Sequence, residues 1–312
     1  SSSLLATTAP GGGGVGVWAS YSKTQFFGLE ALYNATGGER WTSSTGWRDA
    51  ALGVCEWYGV ACDSSGENVT GLSLAGNGLA GNLSDAAEFF QVVSLEDVDL
   101  SDNELVGPVA LGLGLMSNLG QLDLSRNELS SFPASWGSEA SSLQHLSLRS
   151  NNISGTLPSE WLDVNGTTTT TSNSYPLVHA NETSAWLPEL RTLDLRDNNI
   201  AMTVYTALQS VIGLSSLQVL DLSSNALSGN LAGSFDLHYC DEGGSSLSGA
   251  CDTAASKTRA SLLAIVLLAS NSISGGLEAD SLPRSMSVLT LSDNLLHGPV
   301  PEDYSQLSVF FA

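Results

Sequence analysis

An asparagine recurs along this chain with a leucine three residues before it every time. The asparagines are Asn77, Asn103, Asn127, Asn151, Asn198, Asn225, Asn271 and Asn294, and the leucines run from Leu74 to Leu291. Five residues before each Asn stand Leu72, Val98, Leu122, Leu146, Leu193, Leu220, Val266 and Leu289. Eight before stand Val69, Leu95, Leu119, Leu143, Leu190, Leu217, Leu263 and Met286. Neither a 3.6-residue helix nor one long strand has this spacing. Successive gaps are 26, 24, 24, 47, 27, 46 and 23 residues, so the two near-double gaps each hold an insertion or a degraded repeat.

A period of this length with an L-x-x-L-x-L-x-x-N core defines a leucine-rich repeat solenoid. The expected fold is an α/β repeat with a parallel sheet on the concave face. In each L-x-L strand the leucines point into the stack, because successive side chains alternate faces. The Asn amide is predicted to satisfy backbone groups where the chain leaves the sheet, which makes it structural rather than catalytic. The domain reading is a Ser/Gly-rich segment over 1–22, an N-terminal cap over 23–68, and repeats over 69–312. Insertions are placed near 163–186 and 232–260.

The second half of each repeat is more specific. "LAGNL", "LVGPV", "ISGTLP", "LSGNL", "ISGGL" and "LHGPVP" follow the ladder, and "CEWYGVAC" precedes it at Cys55–Cys62. These residues resemble the plant-type class of extracellular leucine-rich repeats, found in receptor-like kinases, receptor-like proteins and polygalacturonase inhibitors. Related caps and repeats also occur in algal and other microbial surface proteins. The pattern fails in "LSSFP" and "IAMTV", where the glycine is missing. The resemblance implies a disulfide-bonded N-terminal cap. A capping helix is read in "SKTQFFGLEALY", with a Ser22/Gln25 capping box and Phe26, Leu29, Leu32 and Tyr33 near one face. Trp41, Trp47 and Trp57 are expected to cover the apolar end of the stack.

Four cysteines form two close pairs along the sequence, Cys55/Cys62 and Cys240/Cys251. Local pairing is expected because the pairs lie far apart on an elongated stack, although sequence alone allows three connectivities. No metal site is expected, since His145, His179, His238 and His297 are scattered. Six N-glycosylation sequons begin at Asn34, Asn68, Asn82, Asn152, Asn165 and Asn181. Together with the disulfides they predict passage through the secretory pathway. The tract 165–174, "NGTTTTTSNS", suits a flexible or O-glycosylated loop.

Ten Lys and Arg stand against 32 Asp and Glu, a formal charge of −22. Such a surface repels nucleic acid and anionic membranes, so neither is expected as a partner. The longest apolar run, 262–269, is too short to span a bilayer, so no membrane insertion is expected within this chain. No motif of a hydrolase, zincin or phosphate-binding loop is present, and no enzyme or cofactor is expected.

Outward positions of the sheet lie six, four and two residues before each ladder Asn. Asp99, Asp123, Asp194 and Asp221 share the middle position, open to reading as a cation column or as the family's ordinary "LDLS" wording. Arg126, Arg149, Arg191 and Arg196 cluster in the middle repeats. They suit bidentate contact with a partner's carboxylate or sulfate, or pairing with the Asp column. Ile265, Leu267 and Ala269, with Val288 next to them, form an apolar outward patch that either contacts a partner or lies beneath the 232–260 insertion. The functional expectation is an extracellular, non-catalytic module that recognises a protein or glycan at the cell surface. The alternative is a structural or adhesive subunit of a cell wall, matrix or filament, whose partners are neighbouring subunits. The first residue is Ser1, which predicts a processed or partial product. Leu307, Phe310 and Ala312 match the three apolar registers of a ninth repeat, so further repeats or a neighbouring molecule are expected to cover that end.

Overall fold

The computed structural model describes residues 23–49, 51–133, 142–158, 161, 187–211, 214–231, 234–235, 262–279 and 282–311. A sheet of ten strands runs through it, nine of them parallel and the first, at the edge, antiparallel. The repeat strands are Val69–Ser73, Asp97–Asp99, Gln121–Asp123, His145–Ser147, Thr192–Asp194, Val219–Asp221, Ile265–Leu267, Val288–Thr290 and Val309–Phe311. The first eight belong to coils 1 to 8, numbered here by their ladder asparagines from Asn77 to Asn294. The last begins a ninth coil.

Alternation decides what is inside. Every apolar residue at the three ladder registers of coils 1 to 8 is buried, Met286 being the most accessible at 4%. Each such side chain contributes about 1.5–3 kcal/mol through burial. The strands are short, mostly three residues, because each coil leaves the sheet immediately after its second inward leucine.

The asparagine stitches coils together. Asn103 Nδ2 donates to Leu100 O and Ser101 O in its own coil and to Leu74 O in the coil before. Its Oδ1 accepts from the N–H of Asn77 and Leu79. Asn127, Asn151, Asn198, Asn225, Asn271 and Asn294 repeat the arrangement, each accepting from the N–H two residues past the previous ladder Asn. Asn77, with no earlier coil, bonds Ser43 N and O in the cap at 2.8 and 2.9 Å. The turn that aims each amide uses a left-handed residue just before the Asn. Gly76, Asp102, Arg126, Ser150, Asp197, Ser224, Ser270 and Asp293 have φ between 52° and 62°.

Both long gaps are insertions. His145–Ser147 pairs directly with Thr192–Asp194, and Val219–Asp221 with Ile265–Leu267, so no degraded repeat lies between them. Most residues of the two inserted segments lie outside the described residues, as do Cys240 and Cys251.

A second set of short strands follows each turn on the side of the solenoid. Here the sheet is in three pieces: Ala80–Asn82, Glu104–Pro108 and Glu128–Ser131; then Ser154–Gly155 with Asn199–Ile200; then Ser228–Asn230, Ser272–Gly275 and Leu295–Leu296. The L-x-G glycines four residues past the Asn have φ near +90° in Gly107, Gly155, Gly229, Gly275 and Gly298. The two breaks follow the two coils that lack this glycine, where Ser131 and Met202 stand instead. In coil 5 the chain turns into the short helix Val204–Ser210, capped by Thr203 Oγ1 accepting from Thr206 N at 3.1 Å.

The N-terminal cap covers the first coil. Helix α1, Lys23–Ala35, buries Leu29, Leu32 and Tyr33. Phe26, Tyr33, Trp41, Trp47 and Trp57 form one aromatic group with centroids 4.8–5.9 Å apart, edge-on in three pairs, stacked for Tyr33 with Trp47 and tilted for Trp47 with Trp57. The tryptophans are therefore packing residues. Gln25 reaches across to coil 1: its Oε1 accepts from Val69 N and its Nε2 donates to Glu67 O. Ser22, its expected capping-box partner, lies outside the described residues. The Cys55–Cys62 disulfide, with Cα atoms 5.7 Å apart, brackets the antiparallel edge strand Val60–Cys62.

Candidate functional site

The concave face is the only surface on which every coil presents the same three outward positions. Its character changes along the stack. At the first outward position the residues are Gly71, Asp97, Gln121, His145, Thr192, Val219, Ile265, Val288 and Val309. At the second they are Ser73, Asp99, Asp123, Ser147, Asp194, Asp221, Leu267, Thr290 and Phe311. Polar and acidic groups hold most of coils 1 to 5, coil 6 presents Val219 with Asp221, and from coil 7 onward the groups are apolar except Thr290.

A trough of about 580 Å³ lies over the polar half, with Asp97, Asp99, Asp123 and Asp194 among its lining residues. Each middle-position acid also has a local task. Asp99, Asp123 and Asp194 accept through Oδ1 from the N–H two residues on, at 3.0, 2.8 and 3.0 Å. Asp221 does the same for Ser223, whose hydroxyl makes a further short bond to it. These bonds turn the chain out of the strand, the Asx-turn geometry. That supports the ordinary "LDLS" reading, and among the described residues no group of three His, Cys, Asp or Glu is arranged to hold a metal ion. Burial pushes the Asp194 carboxyl above its ordinary range and the charge of Asp221 adds to this, against the Arg196 N–H and the arginines nearby.

The arginines separate into two places. Arg126, Arg149 and Arg196 succeed one another along one rim, with Arg126 N donating to Arg149 O and Ser150 N to Arg196 O. Arg191 stands at the start of its strand, five residues from Arg196 and so about 16 Å away along an extended chain. Among the described residues the ion pairs are those of Arg48 with Glu30 and Glu39, and none joins these four arginines to an acid. No salt bridge joins the arginines to the Asp column, although Arg149 and Arg196 act on Asp194 through their charge. Arg126 also has a backbone role, since it occupies the left-handed position before Asn127.

Ile265 and Leu267 are half-buried on the concave face, beside Val219 and Val288 and near the exposed Val309 and Phe311. Sequence reasoning singled out Ile265 and Leu267 with Val288 beside them, and missed Val219, Val309 and Phe311, although the register of the ladder places these on the same face.

Four sequon asparagines lie within the described residues, all off the concave strands. Asn34 is exposed on α1, Asn82 ends a lateral strand, and exposed Asn152 follows its ladder asparagine. Asn68 closes a tight turn in which its Nδ2 donates to Asp63 Oδ2 at 2.7 Å. That bond and the Ser65 hydroxyl hold the Asp63 carboxyl well below the usual range. Asn165 and Asn181 lie outside the described residues. No described helix is long and apolar enough to cross a membrane.

This geometry defines a leucine-rich repeat solenoid with a disulfide-bonded cap. The Leucine Rich Repeat family model matches residues 142–164 and 216–238. The chain is 35% identical over 114 residues to the LRR receptor-like serine/threonine-protein kinase GSO2 of Arabidopsis thaliana, covering 36% of this chain and 7% of that protein. It is 28% identical over 258 residues to Receptor-like protein 35 of the same plant, covering 78% of this chain and 24% of that protein. The solved structure of the plant peptide hormone receptor RGFR1 in complex with RGF2 resembles it with a TM-score of 0.53 and 23% identity. That likeness covers 78% of this chain and 31% of the receptor chain. The chain is therefore a leucine-rich repeat protein similar to these plant receptors. It spans about a quarter or less of the length of these curated relatives.

Proposed function

We propose that this chain is the recognition module of an extracellular, N-glycosylated protein, non-catalytic in itself, which binds a protein ligand through its concave face. The observation that carries the reading is the open ten-strand sheet, with Arg126, Arg149 and Arg196 aligned along one rim and unpaired with any described acid. The off-face position of the four described sequons supports it, because glycans there leave the concave strands clear. The likeness to a structure titled as a peptide hormone receptor complex points to a peptide as the form of ligand. Guanidinium groups aligned on a rim suit a carboxylate or sulfate of the bound chain, which they hold in bidentate fashion.

The test is panning of a displayed random-peptide library against the secreted chain, followed by calorimetry of the selected peptides. Arg149→Ala with Arg196→Ala is expected to weaken the selected peptides about tenfold or more while leaving thermal unfolding nearly unchanged. Recovery of no peptide, together with filaments or regular arrays of the purified chain in electron micrographs, would replace this reading with a structural subunit.

A further inference from the structure

We propose that Asn77–Gly78, where the N-terminal cap meets the first coil, is a self-modifying site. When the cap lifts, the Gly78 nitrogen closes on the Asn77 amide, and loss of that asparagine makes the opening permanent. The inference is independent of the ligand reading above. Three departures of coil 1 from the other coils carry it.

The first is the residue that follows the ladder asparagine. In coils 2 to 8 it carries a side chain, and only in coil 1 is it glycine. Without a Cβ, the glycine nitrogen can approach a neighbouring side chain unhindered. The second is the N–H of that residue. Glu104, Asn152, Asn199, Ala226 and Ser272 each give theirs to a carbonyl of the coil before, at 2.8–3.0 Å. Coil 1 has no coil before it, and among the described residues the Gly78 N–H has no acceptor.

The third is how the amide is held. The side chain of Asn103 makes five hydrogen bonds. That of Asn77 makes two, both to the main chain of Ser43: Oδ1 accepts from Ser43 N at 2.8 Å and Nδ2 donates to Ser43 O at 2.9 Å. Thr42 N also donates to Asn77 O at 2.9 Å, so the cap leans on this one residue.

While the cap is seated, Ser43 holds both ends of the amide and Asn77 is 2% exposed, which keeps Cγ from turning to Gly78 and keeps water out. Terminal elements open locally well before the whole chain unfolds. Once the cap lifts, Gly78 N gives its proton to a solvent base and attacks Asn77 Cγ. The N–Cγ bond forms, the Cγ–Nδ2 bond breaks and ammonia leaves. Water then opens the cyclic imide at either carbonyl, giving aspartate or isoaspartate. Either product sets a carboxylate where a donor faced Ser43 O, and burying that charge unpaired is costly. Isoaspartate also lengthens the backbone by a methylene and takes the acceptor of Thr42 N out of the main chain. The cap then has nothing to reseat on.

The test incubates the full chain at mildly alkaline pH, in buffer and in urea below its unfolding midpoint. Peptide mass mapping with isoaspartyl methyltransferase labelling reads conversion, and hydrogen-exchange mass spectrometry reads protection of helix α1. Conversion at Asn77 is expected to exceed that at Asn103 and Asn225 about tenfold or more, as their following residues have a Cβ and a committed N–H. It is expected to quicken with urea, and to track a loss of α1 protection that persists after the urea is removed. Gly78→Asn is expected to slow conversion about tenfold and to restore recovery. A Cβ at Gly78 would have its nearest neighbours at 3.9 Å, and asparagine tolerates the left-handed φ of 74°, so the fold is kept. Asn77→Asp is expected to lack α1 protection from the start while the coil strands keep theirs; should it fail to fold, the urea series on the parent chain still decides. Conversion at Asn77 no faster than at the other ladder asparagines overturns the proposal. So does conversion that ignores urea, because the cap would then not control it. Full α1 protection in the converted chain overturns it as well, because the opening would then not be permanent.

Discussion

The same coils build two sheets, and only one of them is continuous. On the concave side ten strands pair without interruption across two long insertions. On the lateral side the strands fall into three groups. The concave sheet depends on residues that never change in kind: a buried leucine at one register and a buried or half-buried asparagine at the other, with four to five side-chain hydrogen bonds in coils 2 to 8. The lateral sheet depends on a single backbone conformation with φ near +90°, which suits glycine and strains other residues. Where Ser131 and Met202 replace that glycine the regular strand pairing ends, and only scattered backbone bonds, Asn152 N–H to Leu129 O and Ser228 N–H to Met202 O among them, cross to the next coil. Both sheets pair across the two insertions, so what separates them is the response to a missing glycine and not to added chain length.

The largest effect is expected from breaking the concave ladder. Asn103→Leu removes three donations and leaves the N–H groups of Asn77 and Leu79 without an acceptor. Urea unfolding should show a loss of about 3–5 kcal/mol, or an early separate transition of coils 1 and 2. A loss under about 1 kcal/mol would mean that the ladder is not what keeps the concave sheet continuous.

The lateral side should respond less, and unevenly. Gly81 has φ 132°, and a Cβ there would stand 2.4 Å from Ala35 O of helix α1. Gly81→Ala is expected to cost about 3 kcal/mol, because backbone must move as well as twist. Gly155 has φ 86° with open space around it, so Gly155→Ala should cost only the conformational strain, about 1 kcal/mol. Calorimetric melting of the two variants separates steric from conformational control of this sheet.

The smallest effect concerns the outward concave positions. Asp194 has a folded pKa raised above its ordinary value, so its protonated form is favoured in the fold. The resulting stability is fully present below the unfolded pKa and is lost as pH rises through the folded one. Asp194→Asn keeps the turn acceptor and removes the buried charge. It should match or slightly exceed the parent at pH 7, by less than about 1 kcal/mol, and the two should converge below about pH 3.5. A variant less stable than its parent at neutral pH would show that the ionised carboxylate itself supports the sheet.

Most of the concave architecture was legible in the sequence because leucine and asparagine recur at fixed offsets, and each offset has one physical meaning. The left-handed position before each Asn was not. Gly, Asp, Arg and Ser all occupy it, and a requirement on φ alone leaves only a faint preference in side chains. Arg126 shows the consequence, since its place in the sequence marked it as a binding residue while its backbone performs a turn. The missing lateral glycines were visible, but the loss of pairing follows from geometry between coils that no single repeat contains. Helix Val204–Ser210 was missed although Thr203 gives a standard start signal, because the surrounding ladder argued for another L-x-G strand. Of the candidate site, Ile265, Leu267 and the acid column were visible from the register. The separation of Arg191 from the other three arginines was not, because closeness in sequence hides opposite ends of a strand.

The asparagine bonds also run in one direction. Each coil's N–H two residues past its own Asn waits for the Asn of the coil that follows, while Asn77 turns to Ser43 in the cap. A chain made from its N-terminus therefore meets its cap before its first coil, and every newly emerged coil locks the one before it. The bonding order thus suits vectorial assembly, each new coil closing the open bonds of the one before it. The two insertions, of about one coil's length each, then act as pauses in which the last completed coil stays open until Asn198 or Asn271 arrives.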